Sequence, residues 1–284
     1  MEEPMPTFPS HDGVEIYYEI QGVGAPIVFV HEFGGDYRSW YRQTPVLSQS
    51  CRCISYSARG FLPSAIPENQ NHYGQAQSTG DLRALINHLD LEQVHLVGTS
   101  MGSFTSLDFA LGHPHRVLSL TLVGNSSGPR NDVEQVSYRK NWVGDEIELR
   151  RSEGADGAVR VLANDPAYQS FQRNDPEGWN TYAENLRSQP VHGAIHILST
   201  LHWDRRSLFD DKRRLEEFNK PVLLLTGDED YYLVGETNAF LNEVLPHATW
   251  RRFEGTGHLV NVEQFLKFNT LLAQFIEAFE TMET

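Results

Sequence analysis

One pentapeptide constrains this chain more than any other stretch: Gly-Thr-Ser-Met-Gly at residues 98–102. It lies between the apolar run 94–97 and a stretch of helical periodicity that begins near Met101, which is the G-x-S-x-G pattern of a strand-to-helix turn. A serine on so sharp a turn has a strained backbone, so the residues two before and two after it must be nearly free of side chain. The pattern predicts an exposed Ser100 hydroxyl, although alone it is equally typical of a serine that caps an ordinary helix.

The helix after this turn also bears on the chemistry open to Ser100. The backbone N–H of Met101 and the positive end of the helix dipole point to where a negative oxygen forms when a carbonyl is attacked. A second N–H donor follows the apolar run 27–30, which ends in His-Glu-Phe-Gly-Gly at 31–35. Because the glycine pair lets the backbone turn tightly, we expect the N–H of Phe33 to complete an oxyanion hole with Met101.

Short apolar runs alternate with amphipathic stretches along much of the chain. This alternation is typical of a largely parallel α/β sheet with helices on both faces. Strands are predicted at residues 14–20, 27–30, 52–56, 94–97, 117–123, 221–225 and 249–253. Helices are predicted at residues 40–48, 75–89, 236–245 and 265–279, in addition to the one that begins near Met101.

A long central segment breaks this alternation. Between residues 126 and 220 the strand-like runs vanish, and helical periods appear instead at 133–142, 157–163, 179–187 and 193–201. A helical block inserted between strands indicates a lid over a sheet edge. The sequence therefore predicts a core formed by residues 1–125 and 221–284, and a lid formed by residues 126–220.

Two later loops supply possible partners for Ser100. Thr-Gly-Asp-Glu-Asp at 226–230 follows one predicted strand, and Gly-Thr-Gly-His at 255–258 follows the last one. Both loops leave the carboxyl ends of strands, which is the edge at which open parallel sheets build their sites. A serine becomes a useful nucleophile when a base lies within hydrogen-bond reach and an acid orients that base.

Together these pieces resemble the α/β-hydrolase family. The matching segments are 31–35, the turn-rich loop Ser-Ala-Arg-Gly-Phe-Leu-Pro-Ser at 57–64, the pentapeptide 98–102, and the pair Gly-x-x-Asp at 227–230 and Gly-His at 257–258. The resemblance covers the whole chain except the details of the lid. It implies a mostly parallel, doubly wound, eight-stranded sheet with an inserted helical cap, and it requires no cofactor. It also implies site roles: Ser100 as nucleophile, Asp230 as orienting acid, His258 as base, and Phe33 and Met101 as oxyanion N–H donors.

A few positions depart from the family pattern or sharpen it. Glu32 stands where the family usually has glycine, so its carboxylate either faces solvent or pairs locally, or lies at the pocket mouth and disfavours anionic substrates. Ser57 replaces a loop aspartate and is expected to affect loop packing. Glu263 is expected to act at a helix start. Because Ser100 stands where dehalogenase-like and epoxide hydrolase-like relatives use aspartate, an attacked carbonyl is implied.

Aromatic and histidine side chains of the lid are candidates for a substrate pocket. Those proposed are Trp142, Trp179, Trp203 and His196, with Glu32 from the core, although packing within the lid explains the aromatic residues equally well. His192 and His196 have metal-ligand spacing on a helix, but no acidic or thiol ligands flank them, so no metal is expected. There is no phosphate-binding glycine loop and no dinucleotide fingerprint.

The charge balance bears on partners and location. A formal net charge of −15 argues against nucleic acid and against an anionic membrane surface. No secretory signal or membrane-length apolar stretch is visible, and Cys51 and Cys53 read as reduced thiols, which favours the cytoplasm. We expect a small-molecule substrate and a monomer or homodimer.

The combined reading predicts a carboxylesterase-type serine hydrolase for a small, largely apolar substrate. A carbon–carbon bond hydrolase or a lactonase remains open, since members of the fold use the same residues for those reactions. A slow-turnover ligand receptor of the same fold is the alternative from another class.

Overall fold

The computed structural model describes residues 5–126, 128–129 and 131–280. Met1–Pro4, Ser127, Arg130 and residues 281–284 lie outside these ranges, so the predictions for the segment before Met5 and for the bounds of the core and lid fall partly outside the described residues. Within the described residues the sheet has eight strands: β1 (Thr7–Pro9), β2 (Glu15–Gln21), β3 (Ala25–Val30), β4 (Cys51–Tyr56), β5 (Val94–Thr99), β6 (Val117–Val123), β7 (Val222–Gly227) and β8 (Ala248–Phe253).

The strands follow the spatial order β1-β2-β4-β3-β5-β6-β7-β8. The first strand pairs antiparallel with β2, and β2 pairs antiparallel with β4, whereas β4, β3 and β5 to β8 run parallel to one another. The predicted mostly parallel, doubly wound, eight-stranded class is therefore confirmed. The predictions omitted β1, since three residues are too few to show an alternating pattern.

Helices cover both faces of the sheet because its strands alternate between two apolar layers. In β3, Val28 and Val30 join the layer containing Leu82 of α2, whereas Ile27 joins the layer containing Phe268 of α12. The core helices are α1 (Thr44–Leu47), α2 (Gln75–His88), α3 (Met101–Gly112), α10 (Tyr232–Val244), α11 (Val260–Glu263) and α12 (Phe265–Glu280), with 3-10 turns at Tyr37–Trp40, Gln70–His72 and Pro114–Arg116.

The helix predicted at residues 40–48 divides into the turn Tyr37–Trp40 and the short α1, whose first turn contains a proline. Cys51 and Cys53 are buried and free, and both face the same apolar layer.

Helices fill the described chain between β6 and β7. They are α4 (Asp132–Tyr138), α5 (Asp145–Asn164), α6 (Pro166–Asn174), α7 (Pro176–Arg187), α8 (Val191–Ile197) and α9 (Lys212–Glu216), with wider π-type turns at Arg139–Gly144 and Leu198–His202 and a 3-10 turn at Leu208–Asp211. We call α4 to α9 the lid helices. The predictions omitted α6, α9 and the first half of α5. Gly154, at φ 67°, interrupts α5 near its middle. The boundaries at 126 and 220 stay a prediction.

No helix of the described residues has the length and apolar character needed to cross a membrane.

Candidate active site

Ser100 lies at the junction of β5 and α3 with a backbone that few residues adopt. Its φ of 53° and ψ of −113° are unusual for any residue with a side chain. A Cβ on Gly98 would collide with the carbonyl oxygen of Gly102, and a Cβ on Gly102 would collide with that of Val30 at the end of β3. Both glycines are therefore required sterically, and the turn presses directly against the segment that leads to residue 33.

A line of hydrogen bonds joins the three side chains that the sequence predicts as partners. The Oγ of Ser100 lies 2.9 Å from Nε2 of His258, and Nδ1 of His258 lies 2.8 Å from Oδ1 of Asp230. Asp230 follows β7 and His258 follows β8, so the carboxyl ends of separate strands bring them together. The two preceding acids go elsewhere: Asp228 accepts from the N–H of Thr256, and Glu229 pairs with Arg173 of the lid.

The electrostatics of His258 favour its protonated form. The side chain is 5 % exposed, and burial lowers the pKa of the imidazole, but the adjacent Asp230 carboxylate outweighs burial and leaves the pKa above its ordinary value. Charges on Glu32 and Asp165 act in the same direction. An imidazole that is stabilised as its cation suits a group that must accept a proton from a hydroxyl.

The loop that carries His258 is fastened to the lid. The backbone N–H of His258 donates to the carbonyl of Ala167 in α6 (2.9 Å), and a Cβ on Gly257 would collide with that same oxygen. Glu263 completes the attachment, because its carboxylate accepts hydrogen bonds from the Gly257 N–H (3.2 Å), Ser170 Oγ (3.0 Å) and Asn174 Nδ2 (2.9 Å). The expected helix-start position of Glu263 is found, since the residue lies in the single turn of α11 and just before α12, but its carboxylate binds the lid helix α6.

Sequence reasoning missed several groups around the imidazole. The rings of Tyr168 and Tyr231 lie 5.8 Å and 5.3 Å from that of His258, between centroids. Gly124, with φ 56°, leaves room for the imidazole, since a Cβ there would lie 3.1 Å from Cε1 of His258. The adjacency of Tyr231 to Asp230 and the position of Gly124 after a strand were usable signals. Tyr168 belongs to the lid aromatics that the sequence indicates as possible pocket residues, but nothing local indicates that it lies beside His258.

The loop after β3 is fixed by the neutral ring of His31. The Ala58 N–H donates to Nε2 of His31 (2.9 Å), which leaves the hydrogen on Nδ1 to donate to the Glu32 carbonyl (2.7 Å). Burial lowers the pKa of this imidazole and keeps it neutral. Within the described residues no acceptor occupies the N–H of Phe33. Because Gly102 packs against the end of β3, the N–H groups of Phe33 and Met101 belong to the same edge of the sheet.

Glu32 does not face solvent, so that alternative is wrong, whereas local pairing is found. The residue is 3 % exposed, its Oε1 accepts from Ser39 Oγ (3.0 Å), and its Oε2 has no partner in the described part of the chain. The turn closed by the Gly35 N–H and the Glu32 carbonyl folds over the carboxyl group. Burial raises the pKa of Glu32 to about 7.

The proposed pocket residues do not form one group. Trp179 is buried among lid aromatics, with Tyr168 6.3 Å and Phe171 5.9 Å away between centroids. Trp142 is 38 % exposed and lies edge-on to His202 (5.0 Å), which in turn lies edge-on to Phe33.

The other two pocket candidates, Trp203 and His196, contact residues away from Ser100, His258 and Asp230. Trp203 lies beneath the Arg139 guanidinium, and His196 stacks on Tyr73 (5.0 Å). No contact of the described residues joins Trp203 or His196 to Ser100 or His258. The sequence could not show this, because helical periodicity does not tell which side of the lid meets the core.

A cluster with metal-ligand spacing occurs elsewhere in the described residues, at His11, Asp12 and Asp81. Both carboxylates pair with the buried Arg59, so the cluster is an internal ion pair rather than an open cation site. Ser57 has the expected packing role: its Oγ donates to the Leu62 carbonyl (3.0 Å).

Comparisons with known proteins agree with this architecture. A family model described as the alpha/beta hydrolase fold matches residues 25–265. A 2-hydroxy-6-oxo-2,4-heptadienoate hydrolase of Pseudomonas putida is 26% identical over 270 residues, which cover 94% of this chain and 94% of that protein.

Two solved structures superpose over nearly the full length. The enol-lactonase from Burkholderia xenovorans LB400 has a TM-score of 0.82 at 20% identity and covers 96% of this chain and 100% of its own. A thermophilic esterase from Thermogutta terrifontis has a TM-score of 0.83 at 24% identity, with 98% and 99% covered. At these identities the likeness establishes the fold alone.

Proposed function

This chain belongs to the α/β-hydrolase fold family, and from that premise we propose that it is a serine hydrolase that cleaves a carboxylic ester of a small molecule through an acyl-enzyme on Ser100. The observation that carries the proposal is the unbroken line from Asp230 through His258 to a strained Ser100. A strained hydroxyl held against a buried base has no packing purpose that a smaller residue would not serve.

The chemistry follows from the hydrogen bonds. Nε2 of His258 takes the proton of Ser100 as Oγ attacks the ester carbonyl carbon, and Asp230 stabilises the imidazolium that forms. The imidazolium then gives its proton to the leaving alcohol oxygen, and the acyl group stays on Oγ. A water deprotonated by the same imidazole attacks the acyl carbon, and Ser100 regains its proton as the acid departs.

The carbonyl oxygen becomes negative at both attack steps and needs donors that are already in position. The N–H of Met101 at the start of α3 and the N–H of Phe33 after β3 are the proposed donors. Each such donor is worth roughly 3 kcal/mol of barrier lowering in enzymes of this type. We further propose that the lid, residues 126–220, covers the bound substrate, since Tyr168 of α6 packs beside the imidazole.

A second candidate within the same chemistry is favoured by one relative. The Pseudomonas putida protein acts on 2-hydroxy-6-oxo-2,4-heptadienoate, and its similarity extends over almost the whole chain. The same nucleophile and base would serve such a substrate, so the residues of the hydrogen-bonded line do not distinguish it from a simple ester.

Turnover tests both candidates. Wild-type protein and Ser100→Ala are assayed on alkyl and p-nitrophenyl esters, on lactones, and on 2-hydroxy-6-oxo-2,4-heptadienoate. We expect sustained multiple turnovers by the wild type on at least one ester, and a loss of about three to six orders of magnitude in Ser100→Ala. Stoichiometric turnover would favour a ligand receptor instead. Near wild-type activity in Ser100→Ala would exclude the mechanism.

A further inference from the structure

Arg205, where the lid returns to the core, is buried without a compensating charge. The residue is 7 % exposed, and no carboxylate of the described residues pairs with it. The undescribed internal positions, Ser127 and Arg130, are not acidic. A guanidinium withdrawn from water carries a large desolvation cost unless an anion or a full set of hydrogen bonds compensates for it.

In the other buried arginines of the described residues, a carboxylate compensates for the buried charge. Arg59 is 2 % exposed and pairs with Asp12 and Asp81, and Arg150 is 5 % exposed and pairs with Glu146. Arg205 is therefore the exception. Its Nε also has no hydrogen-bond partner.

Arg205 lies against the groups that surround Ser100. Its Nη2 donates to the Ser126 carbonyl (2.6 Å), two residues after the Gly124 that abuts the His258 imidazole. Its guanidinium carbon lies 4.6 Å from the ring centroid of Phe104, whose own N–H donates to the carbonyl of Ser100 (3.2 Å). The charge is thus held between the helix that begins at Ser100 and the strand end beside the base.

Further polar atoms without partners lie on the same segments. His202 is 3 % exposed, and its Nε2 has no partner, while Nδ1 lies 3.2 Å from Tyr138 Oη. Burial, with the charges of Arg205 and Arg150, holds the pKa of His202 well below its ordinary value, so the ring is neutral. Its edge meets the ring of Phe33 (5.1 Å between centroids).

Asn125 follows β6 directly and precedes the residue that accepts from Arg205. It is fully buried, and neither its amide nitrogen nor its amide oxygen has a partner. Unfilled hydrogen-bonding capacity beside an uncompensated cation is the property expected of a site whose occupant is an anion.

We propose that Arg205, with Asn125 and His202 beside it, binds a carboxylate of the substrate, so that the ester cleaved at Ser100 carries a second, ionised carboxyl group. This inference rests on the proposed function and narrows it, because the expected substrate was largely apolar. Guanidinium groups bind carboxylates through charge-assisted hydrogen bonds, which are the strong class in proteins. A purely structural role would leave Nε unpaired and the charge uncompensated.

The test compares matched esters that differ only in this charge. Monoethyl succinate, glutarate and adipate are each paired with the ethyl ester of the corresponding monoamide, which has the same length and is neutral. For the best chain length we expect the wild type to prefer the carboxylate at least ten-fold in kcat/KM, the scale of one charge-assisted hydrogen bond. Arg205→Met should reduce that ratio to about one, because kcat/KM on the carboxylate esters falls when the guanidinium is removed.

Arg139→Met is the matched control, since Arg139 is half-exposed on the same side of the lid and pairs with Asp204. It should keep the carboxylate preference. A wild-type ratio near one at every chain length, or a preference that survives in Arg205→Met, would overturn the proposal while leaving ester hydrolysis intact.

Calorimetry separates failure of this inference from failure of the proposed function. The Ser100→Ala protein, which does not consume the ligand, is titrated with the same ester pairs. Binding of the carboxylate ester at least ten-fold tighter than its amide partner supports the subsite even if no ester is turned over; equal binding refutes it. If Arg205→Met does not fold, Arg205→Lys is used, and its preference should be smaller than that of the wild type because an ammonium ion lacks the planar fork.

Discussion

The wild type should lose stability as the pH rises from about 4.5 to about 7, because Glu32 is buried, and replacing Glu32 by glutamine should remove this loss. Glu32 has one hydrogen bond, from Ser39, and a second carboxyl oxygen with none in the described part of the chain. Burial raises its pKa from 4.5 to about 7, opposed by the Ser39 hydrogen bond and by the charge of His258. The folded protein therefore holds a proton at a pH where the unfolded chain has released it.

The sign and size of the effect follow from that difference. Below pH 4.5 the group is protonated in both states and affects nothing. As the pH rises from 4.5 towards 7, ionisation of Glu32 stabilises the unfolded state, while the folded state keeps its proton. The free energy of unfolding of the wild type therefore falls by roughly 3 kcal/mol in total. Glutamine does not ionise. The difference in unfolding free energy between Glu32→Gln and wild type should move by that amount in favour of the variant between pH 4 and pH 8.

Urea denaturation at a series of pH values measures the change directly, and the extrapolated free energy is compared at each pH. The comparison across pH cancels any fixed cost of the amide itself. Glu92→Gln, at an exposed position, is the control and should follow the wild type closely. Parallel curves for Glu32→Gln and wild type would refute the reasoning, because they would mean that the Glu32 carboxyl ionises in the folded protein as it does in water.

Two further predictions concern the turn at Ser100 and the base His258. Gly102→Ala should destabilise the protein and abolish activity, because the added Cβ collides with the Val30 carbonyl. Gly112→Ala, at the end of the same helix, is the control: its Cβ meets nothing within 4 Å, so the variant should be tolerated. Thermal melting and esterase assays measure both effects. Asp230→Asn should cut kcat by about four orders of magnitude. It should also shift the onset of activity to lower pH in a pH–rate profile, because the carboxylate that raises the pKa of His258 is gone; an unchanged profile would contradict the assigned role.

The parts of the site that could be predicted are those encoded next to a strand end. Ser100 and Asp230 each follow a buried apolar strand, and His258 follows the last strand, which is more exposed. Parallel strands bring such ends to one edge whatever the rest of the chain does. Among the three acids after Gly227, the spacing Gly-x-x-Asp also selected Asp230, which is the one whose carboxylate contacts the His258 imidazole.

The parts that could not be predicted depend on how the lid sits on the core. Glu263 binds α6, and Arg205 faces Phe104, through contacts between residues about 90 to 100 positions apart in sequence. Helical periodicity identifies an apolar face but not its partner, so it did not indicate that His196 stacks on Tyr73. The burial of Glu32 depends on the tight turn that follows it.

The central claim, that Ser100 is an activated nucleophile, is tested most directly by intact-mass spectrometry after exposure to a fluorophosphonate. Wild-type protein and Ser100→Ala are treated in parallel under native conditions. We predict one covalent adduct per wild-type chain and none on Ser100→Ala, because His258 activates this hydroxyl alone. An unlabelled wild type, or equal labelling of both proteins, would contradict the account.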